Sequence, residues 1–301
     1  DSGLGPEHPA LVRAAEWLER EEVTVEGDWA VRLPELAPGG WAFEFENDLY
    51  PDVDDTAVVA LALRRCHRAH EAVDRGLAWM AGMQSSSGGW GAFDADNEAF
   101  WLYKLPFCDF GKVTDEPSAD VTAHAIEALV QERGYDEEVR RGLDWLLAEQ
   151  EADGSWFGRW GVNHVYGTAA ALPALEACGL EPEHPAMRRA IAWLDSVQNE
   201  DGGFGEDIRS YADPAWRGRG ESSPSQTAWA LLAYVAANEA QGLPARRDAE
   251  WLCDAQQANG DWEERQFTGT GFPLDFMIRY HLYRLHFPLL ALGRLRERLS
   301  R

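Results

Sequence analysis

Three carboxylates fall within four positions in the stretch Pro51-Asp52-Val53-Asp54-Asp55-Thr56-Ala57, and the apolar run Val58 to Leu63 follows directly. Carboxylates ordinarily face water, so acids at the mouth of an apolar helix invite three readings. In the first, Asp54 or Asp55 caps the helix, because a carboxylate satisfies the free N–H groups of a first turn. In the second, the cluster holds a metal. In the third, it is an acid: close carboxylates cannot all ionise, so one keeps its proton. A cationic histidine beside it would stabilise the carboxylate formed when that proton leaves. Spacing alone favours the cap, and an acid and a cap are compatible because different aspartates can serve each.

The metal reading is the weakest. Asp54-Asp55-Thr56-Ala57-Val58 does not follow the DDxxD spacing that holds magnesium-diphosphate. Asp94-Ala95-Asp96-Asn97 hints at a calcium loop, but Ala99 stands where the loop needs glycine. No phosphate-binding glycine loop or Lys/Arg cluster accompanies these acids. The expectation is no metal, no cofactor and a substrate without a diphosphate.

The elements that must position the acids are legible as a repeat. Four segments align without gaps at residues 75–90, 141–156, 189–204 and 247–262. Each runs Arg, Trp four residues later, Gln five after that, and an aromatic residue six further on. The glutamines are Gln84, Gln150, Gln198 and Gln256, and the closing aromatics are Trp90, Trp156, Phe204 and Trp262. A degenerate copy spans 13–29 and has no glutamine. The apolar spacing in the first half of each copy is helical, and a glycine-rich turn ends it. Each Gln is expected to cap the end of its helix and hold the following aromatic, and the repeat tryptophans to tie the outer helices together.

Between the copies lies a second kind of helix with Thr-Ala near its start: Thr56-Ala57, Thr122-Ala123, Thr168-Ala169 and Thr227-Ala228. These helices are apolar on most faces and are therefore buried. Five outer helices are predicted near 8–20, 71–83, 136–150, 184–198 and 243–257. Five inner ones are predicted near 54–68, 119–132, 166–179, 223–238 and 273–299. Alternating outer amphipathic and inner buried helices make an all-α fold, an α/α toroid of the α6/α6-barrel type. Residues 1–301 are read as one such domain. A closed six-pair toroid needs one more inner helix before residue 1, so the expectation is a piece of a longer protein. The long loops at about 84–118 and 199–224 carry many aromatics, and such loops are often functional.

Composition narrows the function classes. The chain has 301 residues, 45% of them hydrophobic, which is enough for a sizeable core. No apolar run reaches membrane-spanning length, and no secretory signal is visible. The net charge of −25 argues against nucleic acid as a partner. It leaves a lipid ligand open, since a lipid site is local and apolar. Cys66, Cys108, Cys178 and Cys253 form no CxxC pair and are expected as reduced, buried thiols of a cytoplasmic protein. The 14 tryptophans are far more than usual, and each is either a large packing residue or a face for a cation.

The Gln-Trp repeats and the Asp52-Val53-Asp54-Asp55 motif together resemble the triterpene cyclases, specifically the bacterial squalene–hopene cyclases. Further stretches fit the same family in order: residues 39–57, 83–97, 106–124, 154–168, 223–230 and 267–276. The resemblance spans nearly the whole chain but covers only the C-terminal half of such an enzyme. It implies a class II cyclase, an intramolecular transferase of isomerase or lyase type, that turns squalene into hopene and hopanol. The family has two α-helical toroids with the cavity between them, so the N-terminal barrel would be an absent partner. The membrane-channel segment would lie mostly in that missing half. The resemblance also implies a peripheral, monotopic protein on the inner face of the bacterial cell membrane, and it allows a homodimer.

The resemblance assigns roles residue by residue. Asp54 would be the proton donor, His124 would hydrogen-bond and acidify it, and Asp52 and Asp55 would be its carboxylate neighbours. Tyr166 would join the network through water. Phe43, Phe93, Phe110, Trp160, Phe272, Phe276, Tyr280 and Tyr283 would line the substrate cavity, where aromatic faces stabilise a travelling cation without reacting with it. Phe272 and Phe276, four residues apart, could face one side of a helix. Two positions depart from the family: Phe93 stands where tyrosine is usual, and Met277 where an aromatic is. Both leave the product less determined than the reaction class.

Two other readings compete. The chain could be a folded but non-catalytic toroid fragment, or a cyclase of a different polyprenoid. Other α/α toroids fit less well: glycosidases set their paired carboxylates apart across a sugar, and a prenyltransferase subunit needs zinc ligands, of which no convincing set is visible.

Overall fold

The computed structural model describes residues 3–43, 46–47, 49–97, 99–105, 114–273 and 275–300. The chain divides into two compact units. One comprises residues 4–100 and 114–148, and the other residues 1–3, 101–113 and 149–301.

The first unit carries α1 (Pro9–Arg20), β1 (Trp41–Ala42), β2 (Pro51–Asp52), α2 (Val53–Arg65), α3 (His70–Gly82), α4 (Ala119–Leu129) and α5 (Asp136–Ala148). Outer and inner helices differ as their sequences require. In α1 only Ala15 is buried, whereas nine of the eleven residues of α4 are. Helix α2 packs on α3 and α4. The strands β1 and β2 pair antiparallel, with Trp41 opposite Asp52, and so deliver the chain to the start of α2.

The second unit carries α6 (His164–Ala177), α7 (Pro185–Val197), α8 (Pro224–Ala236), α9 (Leu243–Ala255), β3 (Gly269–Phe272), β4 (Asp275–Ile278) and α10 (Tyr283–Leu299). All 13 residues of α8 are buried, and it packs on α6, α9 and α10. The inner helix expected over 273–299 starts only at Tyr283. Residues 269–278 form an antiparallel hairpin instead, so Phe272 and Phe276 do not share a helix face. Glycines at 269 and 271 disfavour helix there, and Phe276 adopts a positive φ of 49°.

The repeat residues divide their labour differently from the expectation. Each Gln amide reaches forward to the turn glycine and, in three copies, on to the first turn of the next outer helix. Gln84 donates to the carbonyls of Gly88 and Glu138, Gln150 to those of Gly154 and Ala186, and Gln198 to those of Gly202 and Pro244. The tryptophans do the more local work. The Trp90 and Trp262 indoles donate 2.8 Å bonds to the carbonyls of Met80 and Leu252, near the ends of their own helices. The backbone N–H of each closing aromatic at 90, 156 and 204 donates to the buried threonine of the next inner helix, Thr122, Thr168 or Thr227. Thus Gln joins outer helix to outer helix, and the aromatic joins outer to inner.

The cysteines are free where described, but they are not all buried: Cys253 is exposed, and Cys66 and Cys178 are half-buried. Cys253 sits on an outer helix whose apolar stripe it does not belong to. Cys108 lies outside the described residues.

Candidate active site

Helix α2 begins at Val53, so Asp52 occupies the N-cap, and its Oδ1 accepts the Asp55 N–H at 2.8 Å. The cap is therefore Asp52, not Asp54 or Asp55 as spacing allowed. Those two stand inside the first turn, where the helix dipole favours negative charge. Asp52 is buried, and its Oδ2 has no hydrogen-bond partner among the described residues.

Helix α4 packs on α2 and brings His124 to Asp54. The His124 Nδ1–H donates to Asp54 Oδ1 at 2.5 Å, across 70 residues of sequence. Both side chains are half-buried, at 20% and 26% exposure, so the pair is sheltered yet reachable. Burial works against the imidazolium, but the Asp54 charge and hydrogen bond outweigh it. Asp120 and Glu127 add to them, and the His124 pKa rises to about 9. At neutral pH His124 is thus a cation.

The neighbouring acids move the other way from solvent-exposed carboxylates. Burial, together with the charge of Asp54, lifts the Asp55 pKa to about 6. Burial first, then Asp55, holds Asp52 well above the ordinary carboxylate range. Asp54 therefore lies among two carboxyls with raised pKa values and one imidazolium. Asp54 Oδ1 accepts from His124. Such a cluster suits proton donation to a weak base more than metal binding. Among the described residues no group of three or more His, Cys, Asp and Glu side chains could hold an ion.

Two of the expected cavity aromatics belong to this unit. Phe43 follows β1 directly and is 53% exposed, and Phe93 is half-buried in the loop after the first closing tryptophan. Phe110 lies outside the described residues. The rest belong to the other unit and are placed there by themselves. Trp160 lies beside the hairpin, where its carbonyl accepts the Thr270 N–H at 3.0 Å. Phe272 and Phe276 meet edge to face at 5.7 Å across the hairpin, and both are exposed. Tyr280 stacks on Tyr283 at 4.7 Å. Tyr166 is buried in α6 against Trp229, with ring centroids 4.8 Å apart.

Sequence reasoning missed the residues that connect these rings. Trp229 lies between Tyr166 and Tyr283, and Phe287 packs on both Trp229 and Tyr283. Phe287 was legible one helical turn beyond Tyr283, and Trp229 directly after Thr227-Ala228. Also missed was Asp120, one turn before His124 on α4, which is buried and accepts from the Ser118 hydroxyl at 2.6 Å. The i, i+4 spacing was the available signal.

Comparison with known proteins places this geometry in context. Residues 1–297 match the family model described as squalene-hopene cyclase C-terminal domain. The chain is 51% identical over its whole length to a squalene–hopene cyclase of Alicyclobacillus acidocaldarius and spans 49% of that protein. It is 46% identical to a squalene–hopene cyclase of Zymomonas mobilis, over 96% of this chain and 45% of that protein. The chain thus spans about half the length of these relatives. In fold it is similar to the type II terpene cyclase MstE from Scytonema, with a TM-score of 0.68 at 19% identity over 97% of this chain and 85% of that one.

Proposed function

The chain belongs to the squalene-hopene cyclase C-terminal domain family, and from that premise we propose that it is the acid-bearing half of a class II cyclase that converts squalene into hopene and hopanol. The observation that carries the reading is the 2.5 Å bond from His124 to Asp54 beside two carboxyls whose pKa values are raised.

An isolated alkene is a very weak base, so its donor must be a strong, well-aimed acid kept from competing water. Asp54 supplies the proton: its O–H bond breaks, and the terminal π pair of the polyene forms the new C–H bond. The carboxylate left behind faces the His124 imidazolium, whose charge stabilises it where it forms. The cation on the polyene is then consumed by the next double bond, and so on through successive C–C bond formations. Loss of a proton ends the sequence as hopene. Addition of water followed by loss of a proton ends it as hopanol. Asp54 regains its proton from solvent, and Asp52 and Asp55, which hold protons above the usual range, surround it during the reset.

In this reading Phe43 and Phe93, in the unit that carries the acids, offer aromatic faces to the travelling cation. The half of the relatives' length that this chain does not span completes the cavity in this reading. The full-length enzyme works as a peripheral protein on the inner face of the cell membrane, where a hydrocarbon substrate dissolves. Among the described residues no helix is long and apolar enough to cross a membrane.

The test is incubation of the full-length protein with squalene in D2O and analysis of the hydrocarbon products. The expected result is a pentacyclic product carrying one non-exchangeable deuterium at the carbon protonated first. Unchanged squalene, or turnover only of a shorter polyene, overturns the substrate assignment.

A further inference from the structure

Building on the cyclase reading, we propose that Asp115 is a positioning residue that sets the start of α2, and with it the aim of Asp54, through a single peptide plane. Asp115 is buried, and three consecutive amides converge on its carboxylate. Oδ1 accepts the Ala92 N–H at 3.1 Å, and Oδ2 accepts those of Phe93 at 2.5 Å and Asp94 at 2.7 Å. A carboxylate has acceptor sites enough for three such donors; an amide or hydroxyl offers fewer.

The connection to the acid runs through the peptide between residues 92 and 93. Its N–H is the one held by Asp115 at 2.5 Å, and its C=O accepts the Val53 N–H at 2.8 Å. A trans peptide is planar and rigid, so fixing one edge fixes the other. Val53 is the first residue of α2 and sits between the cap Asp52 and the donor Asp54. Asp115 therefore orients two things at once: the backbone of Phe93 and the first turn that carries the acids.

Gly91 shows how closely the carboxylate is fitted. A Cβ at that position would lie 2.5 Å from the Asp115 carbonyl oxygen and 2.8 Å from its Oδ2. Only glycine lets the loop approach Asp115 at this distance. The cost of loosening such a fit falls on the chemical step, because displacement of a reacting group by about 1 Å can cost about 100-fold in rate.

The experiment compares the full-length enzyme with its Asp115→Asn variant, which keeps the side-chain size but turns an NH2 group toward one of the amides. Melting temperature selects folded protein. Backbone amide exchange, which needs no turnover, is expected to quicken about tenfold or more at Val53, Phe93 and Asp94 and to stay unchanged in α5. With squalene, kcat per folded enzyme is expected to fall about tenfold or more at nearly constant KM, with more partially cyclised product. A purely structural role would lower the folded fraction and leave kcat and products per folded molecule alone. Wild-type exchange at Val53, or faster exchange with unchanged kcat and products, overturns the proposal. Should Asp115→Asn not fold, Asp115→Glu, which moves the carboxylate by one methylene, is measured in the same ways, and the same outcomes support or overturn the proposal. Wild-type enzyme that makes no cyclic product refutes the functional reading, while the exchange data still decide whether Asp115 sets α2.

Discussion

The charge state of His124 follows largely from its 2.5 Å contact with Asp54. Burial alone would push the His124 pKa below its ordinary value; Asp54 brings it to about 9. Asp54→Asn removes both the charge and the ionic hydrogen bond, so the imidazole pKa is expected to fall by more than one unit, read by NMR titration of labelled histidine. An unchanged value would show that Asp54 is not the partner. The same shifts fix the sign of the pH dependence of stability. His124 has a raised pKa, so its stabilising contribution is full below about pH 6.5 and is lost as pH rises through about 9. Asp55 is also raised, so folding opposes its ionisation: no penalty exists below about pH 3.8, and it grows as pH rises to about 6. Both windows lower stability with rising pH. Asp52 is raised as well and adds to the lower slope, so Asp55→Asn is expected to reduce that slope without abolishing it and to leave the upper one, measured by urea unfolding across pH.

At the scale of the element, the start of α2 combines a cap with a buried acid, and two substitutions separate these duties. Asp52→Ala loses the acceptor for the Asp55 N–H and is expected to cost about 1 kcal/mol. Asp52→Asn keeps an acceptor and removes a buried acid whose Oδ2 has no partner among the described residues, so at neutral pH it is expected to be neutral or stabilising. The repeat makes a second graded prediction. Gln150→Ala severs two carbonyls, one of them in the next outer helix, and should cost about 1–3 kcal/mol. Gln256→Ala severs only the exposed bond to Gly260 and should stay within about 0.5 kcal/mol, both by denaturant unfolding. The helices themselves were legible because Arg, Trp and Gln recur at fixed offsets and because Thr-Ala opens each apolar run. The hairpin over 269–278 was not, since phenylalanines four apart satisfy a helical period and the pairing that overrides it joins residues the period does not mark. Nor was the cap: three aspartates within four positions are equivalent on paper, and only the observed first residue of α2 singles out Asp52.

For the whole molecule, the governing fact is that the chain spans about half of its relatives. Several side chains assigned to the cavity, Phe43, Phe272 and Phe276, are exposed in this half. Exposed faces cannot keep water from a carbocation. The 301-residue chain alone is therefore expected to give no cyclised product from squalene, and co-expression with the remaining half to restore it, read by gas chromatography of the extracted hydrocarbons. The family was legible because the motifs run in order along nearly the whole chain. The placement of Tyr166 against Trp229 was not, because it depends on packing between α6 and α8 that no spacing encodes. The central claim concerns one carboxyl, and the most direct measurement is single-turnover cyclisation of squalene by full-length enzyme bearing Asp54→Asn, normalised to folded protein. The predicted result is a loss of about 100- to 10,000-fold or more in the rate of ring formation, the range associated with removing a general acid, with substrate binding retained. Pentacyclic product formed at the wild-type rate by that variant would contradict it.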